Sequence, residues 1–305
     1  MSAFSFRPVV VVLLAAFSAA AFGAAACTAR DAVRETRTQA VDDYGAVIAP
    51  AAPAKRIVSL NPATTEILFA IGAGASVVGR SRWDQWPAAA RAIPDIGDAI
   101  RPSVERILVA HPDLVVLYAS GDNRAAATAL AAAGIRVVAI RIDRIADFER
   151  AVRMLGLLAG LDSAARLAAD SVRRSLALVR DRTRDLARPR AFLHAWDNPL
   201  MAIGGGSFLS ELVEIAGGAN IYADRPEPSP QVSFEDLVRR DPDVILAGPT
   251  EIDRLRDDAR WQALRAVRDG RILAYDTTLV ARPSMRLGEA ARSLATLLHP
   301  DVVFR

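Results

Sequence analysis

"SVERILVAHPDLVVLY" (Ser103–Tyr118) and "SFEDLVRRDPDVILAG" (Ser233–Gly248) decide how this chain is read. Serine, glutamate, two aliphatics, proline, aspartate and an apolar run recur in the same order, displaced by 130 residues. Each copy reads as a short helix, a proline stop and a buried strand. The glutamates, Glu105 and Glu235, fall in the first helical turn, where the helix dipole favours a carboxylate. That effect accounts for each glutamate alone. It does not account for a matched pair, one in each copy.

Outward from the first copy, strand and helix signals alternate. "RIVSL" (Arg56–Leu60) is a β-branched apolar run and predicts a strand. "NPATTEILFAIGAG" (Asn61–Gly74) predicts a helix capped at Thr64 or Thr65 and stopped by Gly72 and Gly74. "VVGRS", "DLVVLY" and "RVVAI" predict further strands, with a helix over "NRAAATALAAAGI". Near-continuous apolar strands between helices mean a parallel sheet covered on both faces. From Ile145 to Leu186 the strand signal stops, and apolar residues recur at helical spacing as one helix or two joined near "GLDS". After that the α/β pattern resumes. "RAFLHAW", "NIYA", "DVILAG" and "RILAYD" predict strands; "SFLSELVEIAG", "DARWQALRAV" and "LGEAARSLATLLH" predict helices.

The organisation is therefore lobe, helix, lobe: a lead-in over 28–54, an N-terminal α/β lobe over 55–146, a bridging helix over 147–187 and a C-terminal α/β lobe over 188–305. A second internal match supports it, since Glu66 and Glu211 both precede a helix ending in glycines. Two such lobes leave a cleft between them, and α/β sheets bind ligands outside the C-terminal ends of their strands.

Residues 1–27 carry Arg7, an Ala-rich apolar run and the chain's only cysteine, Cys27, directly after "AAA". This is the pattern of an export signal. Three outcomes are open: lipidation of Cys27, ordinary cleavage nearby to give a soluble extracytoplasmic protein, or retention of the apolar run as an anchor. With one cysteine there is no internal disulfide. Charged residues make up 24% of the chain, net charge is only +3 and no basic block exists, which argues against nucleic acid as a partner.

Few side chains suggest chemistry. The three histidines, His111, His194 and His299, show no metal-ligand spacing, and no nucleophile–base set can be assembled. His111 reads as a surface residue; His194 is a candidate for the cleft. The aromatics are scarce and placed where strands run into loops: Trp83 and Trp86 in "RSRWDQWP", Tyr118 after "LVVL", and Trp196 in "WDNP". Such positions suit walls for a large flat ligand. Trp261 lies in an amphipathic segment and reads as core. Arg82 and Arg282 are loop arginines suited to ligand carboxylate, phosphate or amide oxygens.

At this point "KRIVSLNPATTEILFAIGAGASVVGRS", "SVERILVAHPDLVVL", the helical middle and "PQVSFEDLVRRDPDVIL" together resemble the helical-backbone metal-chelate receptors of bacterial ABC importers. The likeness runs from Lys55 to Pro300 and is strongest to the cobalamin-binding branch. It implies two Rossmann-like lobes bridged by one long rigid helix, a cleft that closes modestly on a chelate, and no catalysis. It implies a periplasmic or cell-surface monomer that touches the membrane only through an N-terminal lipid. The ligand would be a cobalt corrinoid or, alternatively, a ferric siderophore or haem, with no resident cofactor or metal. Glu105 and Glu235 fall on the positions that dock such receptors on permease arginines. Trp83, Trp86 and Tyr118 match positions that face a corrin. Trp196 and Arg282 join them as the expected ligand contacts. Ser229 departs from the pattern, for an aromatic stands there in the cobalamin branch. With haem as cargo, Tyr118 would instead be an iron ligand. A cofactor enzyme or a ligand sensor of similar layout is the alternative from outside the family.

Overall fold

The computed structural model describes Met1 and residues 40–304. The expected export signal after Met1, the expected lipidation site Cys27 and residues 28–39 lie outside the described residues.

The N-terminal lobe contains β1 (Ile57–Ser59), α1 (Pro62–Ala70), β2 (Val77–Arg80), α2 (Val104–Val109), β3 (Leu114–Tyr118), α3 (Arg124–Ala132) and β4 (Arg136–Ile140). Its sheet is parallel throughout, in the order β2-β1-β3-β4. The helical middle follows as α4 (Ile145–Ala159) and α5 (Asp162–Thr183). The C-terminal lobe contains β5 (Arg190–Asp197), β6 (Leu200–Ala202), α6 (Phe208–Ile215), β7 (Ala219–Asn220), α7 (Phe234–Arg240) and β8 (Val244–Ala247). It continues with α8 (Ile252–Asp257), α9 (Arg265–Arg268), β9 (Ile272–Ala274), α10 (Thr277–Val280) and α11 (Leu287–Leu298). Here β7, β8 and β9 pair in parallel around β5, and β6 folds back on the end of β5 as an antiparallel edge. Strand for strand, β7-β5-β8-β9 repeats β2-β1-β3-β4.

Both sheets bury both faces, as the continuous apolar strands predict. Leu114 and Val116 of β3 point into one cluster, while Val115 and Leu117 point into another. In β8, Val244 and Leu246 separate from Ile245 and Ala247 in the same way. This is the two-residue period of a strand covered on both sides. The largest cluster runs from Ile67 and Phe148 through Val172 and Leu176 to Val213 and Leu294, so one core crosses from lobe to lobe through α4 and α5.

The repeated segments do identical structural work. Ser103 and Ser233 cap α2 and α7 by accepting from the backbone N–H groups of Arg106 and Asp236. Asp113 accepts from Lys55 and Arg56 at the start of β1; Asp243 accepts from Arg190 at the start of β5. The guanidinium groups of Arg56 and Arg190 reach the last carbonyls of α2 and α7. Even the left-handed residues ahead of the two prolines match, at His111 and Asp241.

Several local expectations need correction. The helical middle is two helices, not one spanning 147–187. Gly160 adopts a left-handed conformation (φ 69°), and the N–H of Leu161 bonds back to Gly156 O at 2.7 Å, which ends α4. The 22-residue α5 is the element that packs on α4, α6 and α11. The lead-in expected over 28–54 is fixed from Val41 onward. Asp43 N–H bonds to Ala139 O, Asp42 accepts from Ala139 N–H, and Ala54 N–H bonds to Leu158 O. The unpaired edge of β4 supplies the Ala139 groups and the C-terminal turn of α4 supplies Leu158 O, which composition does not reveal. Helix α1 is capped by Asn61, with Pro62 at its first position, instead of by Thr64 or Thr65. "NIYA" is a two-residue bridge followed by a turn, and "DARWQALRAV" is a short 3₁₀ turn (Trp261–Ala263) plus α9.

Candidate functional site

Helices in parallel α/β units run against their strands, so the C-terminal strand ends and the helix N-termini share one side of each lobe. On that side a cavity of ≈ 310 Å³ opens between the lobes. Asn61, Tyr118 and Asp143 line it from the N-terminal half; Ile203, Ser207, Phe208, Pro228, Ser229 and Pro283 line it from the C-terminal half. A larger open hollow of ≈ 890 Å³ lies where α4, α5 and α6 meet, away from the strand ends. Three ion pairs line it, Arg144–Glu211, Arg173–Glu149 and Arg188–Glu214, together with Arg180. The strand-end cleft is therefore the candidate site.

Of the predicted aromatics, only Tyr118 lines the cavity itself. Trp83, Trp86 and Trp196 are 53%, 44% and 64% exposed, which is unusual for tryptophan and leaves their faces available. All four residues occupy C-terminal strand ends or the loops directly beyond them. Trp196 is tied to its own turn by Nε1–H donation to Asn198 O at 3.1 Å.

The Trp83/Trp86 loop is held from beneath. Asp84, between the two tryptophans, is fully buried and accepts from the hydroxyls of Thr65 and Ser81. Thr65 Oγ1 also lies 2.8 Å from Ser59 Oγ, which contacts Thr64 Oγ1 at 2.9 Å. The threonines of "PATTE" thus peg an aromatic loop to α1. Burial pushes the Asp84 carboxyl up, against the pull of those hydroxyls.

Arg282 lies in the loop between α10 and α11. Its Nη1 stands 4.0 Å from Glu66 of α1, and Arg286 Nε stands 3.5 Å from the same carboxylate. Arg286 also lies over the Trp86 ring at 4.8 Å. Asp84 and Arg286 were not anticipated; the only signal was their place beside the loop residues that were. Arg82 is exposed, with its backbone N–H bonded to Gly97 O.

Tyr118 has its phenol pushed up, first by burial and then by the Asp143 charge, with Arg141 opposing. His194 does not line the cleft. It is buried against Phe192 and Trp261, and burial lowers its pKa against the pull of Asp197. His194 shares a face of β5 with Phe192, the face that packs on Trp261. Trp261 is fully buried, as expected. Among the described residues, no group of three histidine, cysteine or acidic side chains is placed to hold a metal.

Glu105 and Glu235 are exposed in the first turns of α2 and α7. Their pKa values are lowered chiefly by their own backbone N–H groups and by Ser103 and Ser233. Neither lines the cavity.

Two α/β lobes on a helical spine, with a cleft between them at the strand ends, define a ligand receptor. Residues 57–279 match the family model described as periplasmic binding protein, and the chain belongs to that family. It is 32% identical over 249 residues to the vitamin B12-binding protein of Yersinia pestis (strain Pestoides F), covering 80% of this chain and 86% of the relative. Among solved structures it is similar to the periplasmic vitamin B12 binding protein of Vibrio cholerae, with a TM-score of 0.70 and 27% identity over 81% of this chain and 97% of the other. It is also similar to a periplasmic heme-binding protein of a Roseiflexus species, with a TM-score of 0.73 and 25% identity over 81% and 98%. The expected α/β, two-lobe receptor fold is borne out, and these relatives are binding proteins.

Proposed function

We propose that this protein is an extracytoplasmic receptor for a cobalt corrinoid, which it delivers to an ABC importer. The observation that carries the reading is the set of exposed aromatics at the strand ends around the interlobe cleft, in a chain 32% identical to vitamin B12-binding proteins. A corrin is broad, flat and apolar on its faces. Trp83, Trp86, Tyr118 and Trp196 offer stacking surface at low entropic cost. Arg282 and backbone amides at the cleft meet the polar periphery. The receptor catalyses no reaction and needs no resident cofactor. It works in the periplasm or at the cell surface, as a monomer, held to the membrane at most through lipid on Cys27. Glu105 and Glu235 dock the two lobes on the permease, so they act on orientation and encounter more than on affinity.

Haem is the competing ligand, because Tyr118 stands in the cavity where a phenolate could ligate iron. The 32% identity to vitamin B12-binding proteins favours the corrinoid reading. Titration of residues 28–305 with cyanocobalamin, haem and a ferric siderophore, followed by tryptophan fluorescence, tests the choice. Micromolar or tighter binding of cyanocobalamin is expected. Binding of haem or siderophore with none of any corrinoid would overturn it.

A further inference from the structure

Glu66 is the most deeply buried acidic side chain that faces the opposite lobe. Its side chain is 1% exposed, yet no hydrogen bond of good geometry reaches either carboxylate oxygen. The groups around it are Ser284, Arg286 and Arg282, all from the loop ahead of α11. Arg286 Nε likewise lacks a hydrogen-bond partner, while its Nη2 donates to Thr278 O. The other contact of that guanidinium is the face of Trp86. A buried carboxylate held by ion pairs but without hydrogen bonds is costly, so its placement calls for a reason.

Glu211, the counterpart of Glu66 on α6, shows what a satisfied version looks like. It accepts from Arg144 Nε at 2.8 Å and from Ile145 N–H at 2.7 Å, which ties α6 to the start of α4. The same position in each lobe thus sends a carboxylate to the other half. Only the one beside the tryptophan loop is left at ion-pair distance without hydrogen bonds.

We propose that Glu66 is a positioning residue for the ligand wall: from the opposite lobe it holds Arg286 over one face of Trp86, leaving the other face set for the ligand. The inference rests on the proposed stacking of ligand on Trp86. Thr65 and Glu66, adjacent on α1, then fix the same loop in two ways, Thr65 through Asp84 and Glu66 through Arg286. A guanidinium over an indole face is a favourable contact, and pairing the guanidinium restricts where it can sit.

The test has one arm without ligand and one with it. In the unliganded protein, the Trp86 share of acrylamide quenching is taken as the difference between each protein and its W86F counterpart. Glu66→Gln and, from the other side, Arg286→Met should each raise that share about twofold. An unchanged share in both variants overturns the inference whatever the ligand proves to be. In the second arm, cyanocobalamin affinity is measured for wild type, E66Q, W86A and the double variant. E66Q should weaken binding about tenfold alone and add little on top of W86A, the non-additivity of coupled residues. Losses that multiply show a general structural effect and overturn the inference while leaving the receptor reading intact. A W86A protein that binds as wild type does overturns the stacking reading instead.

Discussion

Thr65 donates its hydroxyl to Asp84, a fully buried carboxylate that sits between two exposed tryptophans. The contact joins a helix of the hydrophobic core to the most exposed aromatic loop of the N-terminal lobe. It explains how Trp83 and Trp86 keep their faces in solvent without the loop collapsing onto them. Asp84→Ala would orphan the hydroxyls of Thr65 and Ser81 and should cost about 1–3 kcal/mol of stability in chemical denaturation. It should also weaken cyanocobalamin binding more than a surface change such as Gln85→Ala. Equal affinity in the two variants would show that the peg does not set the loop.

Replacing both Glu105 and Glu235 by lysine should abolish uptake in cells while ligand affinity stays within about twofold, since neither carboxylate touches the cavity. Thermal stability should hardly change, because surface substitutions of this kind stay within about 0.5 kcal/mol apart from the small capping contribution. Normal uptake by the double variant would remove the docking role.

His194 makes stability depend on pH. Burial depresses its pKa below the ordinary value of 6.5, so the unfolded chain binds a proton more readily than the folded one. This histidine therefore costs nothing well above pH 6.5. Its penalty sets in as pH falls through the unfolded value and levels off below the folded one. Denaturation at pH 7.5 and 5.5 should show a loss for the wild type that is smaller in His194→Gln. An equal loss in both proteins would assign the dependence elsewhere.

Close packing of α5 on α11 depends on Gly288. A Cβ there would lie 2.0 Å from Ser175 Oγ and 2.4 Å from its Cβ. Gly288→Ala should lower stability by about 1–3 kcal/mol, the usual range for overpacking. Ser175→Gly should recover part of that loss, and a double variant no more stable than Gly288→Ala would place the strain elsewhere.

Much of the fold was legible because it is written in local periodicity. The apolar strands, Ser103 and Ser233 at matched helix starts, and the 130-residue displacement require only short-range reading. The break at Gly160 was legible in part, since a glycine marks it, but whether a glycine ends a helix or sits inside one depends on its φ. "DARWQALRAV" misled because Trp261 and Leu264 recur at helical spacing, yet tertiary packing of the indole on Phe192 and Phe234 sets a 3₁₀ turn there. His194 misled for a related reason: alternation places it on a face of β5, but not which face meets the cleft.

The amino-acid order alone determined two pseudo-equivalent α/β lobes, the helical connection between them, and a matched glutamate on each. Those follow from patterns a few residues long, repeated. Tertiary structure alone decided that Asp84 would be buried beneath its neighbouring tryptophans and that Glu66 would meet Arg282 and Arg286, more than two hundred residues away. The physical reason is that a carboxylate's role depends on what shares its solvent-free surroundings, and those neighbours are assembled only when the two lobes close on their common core.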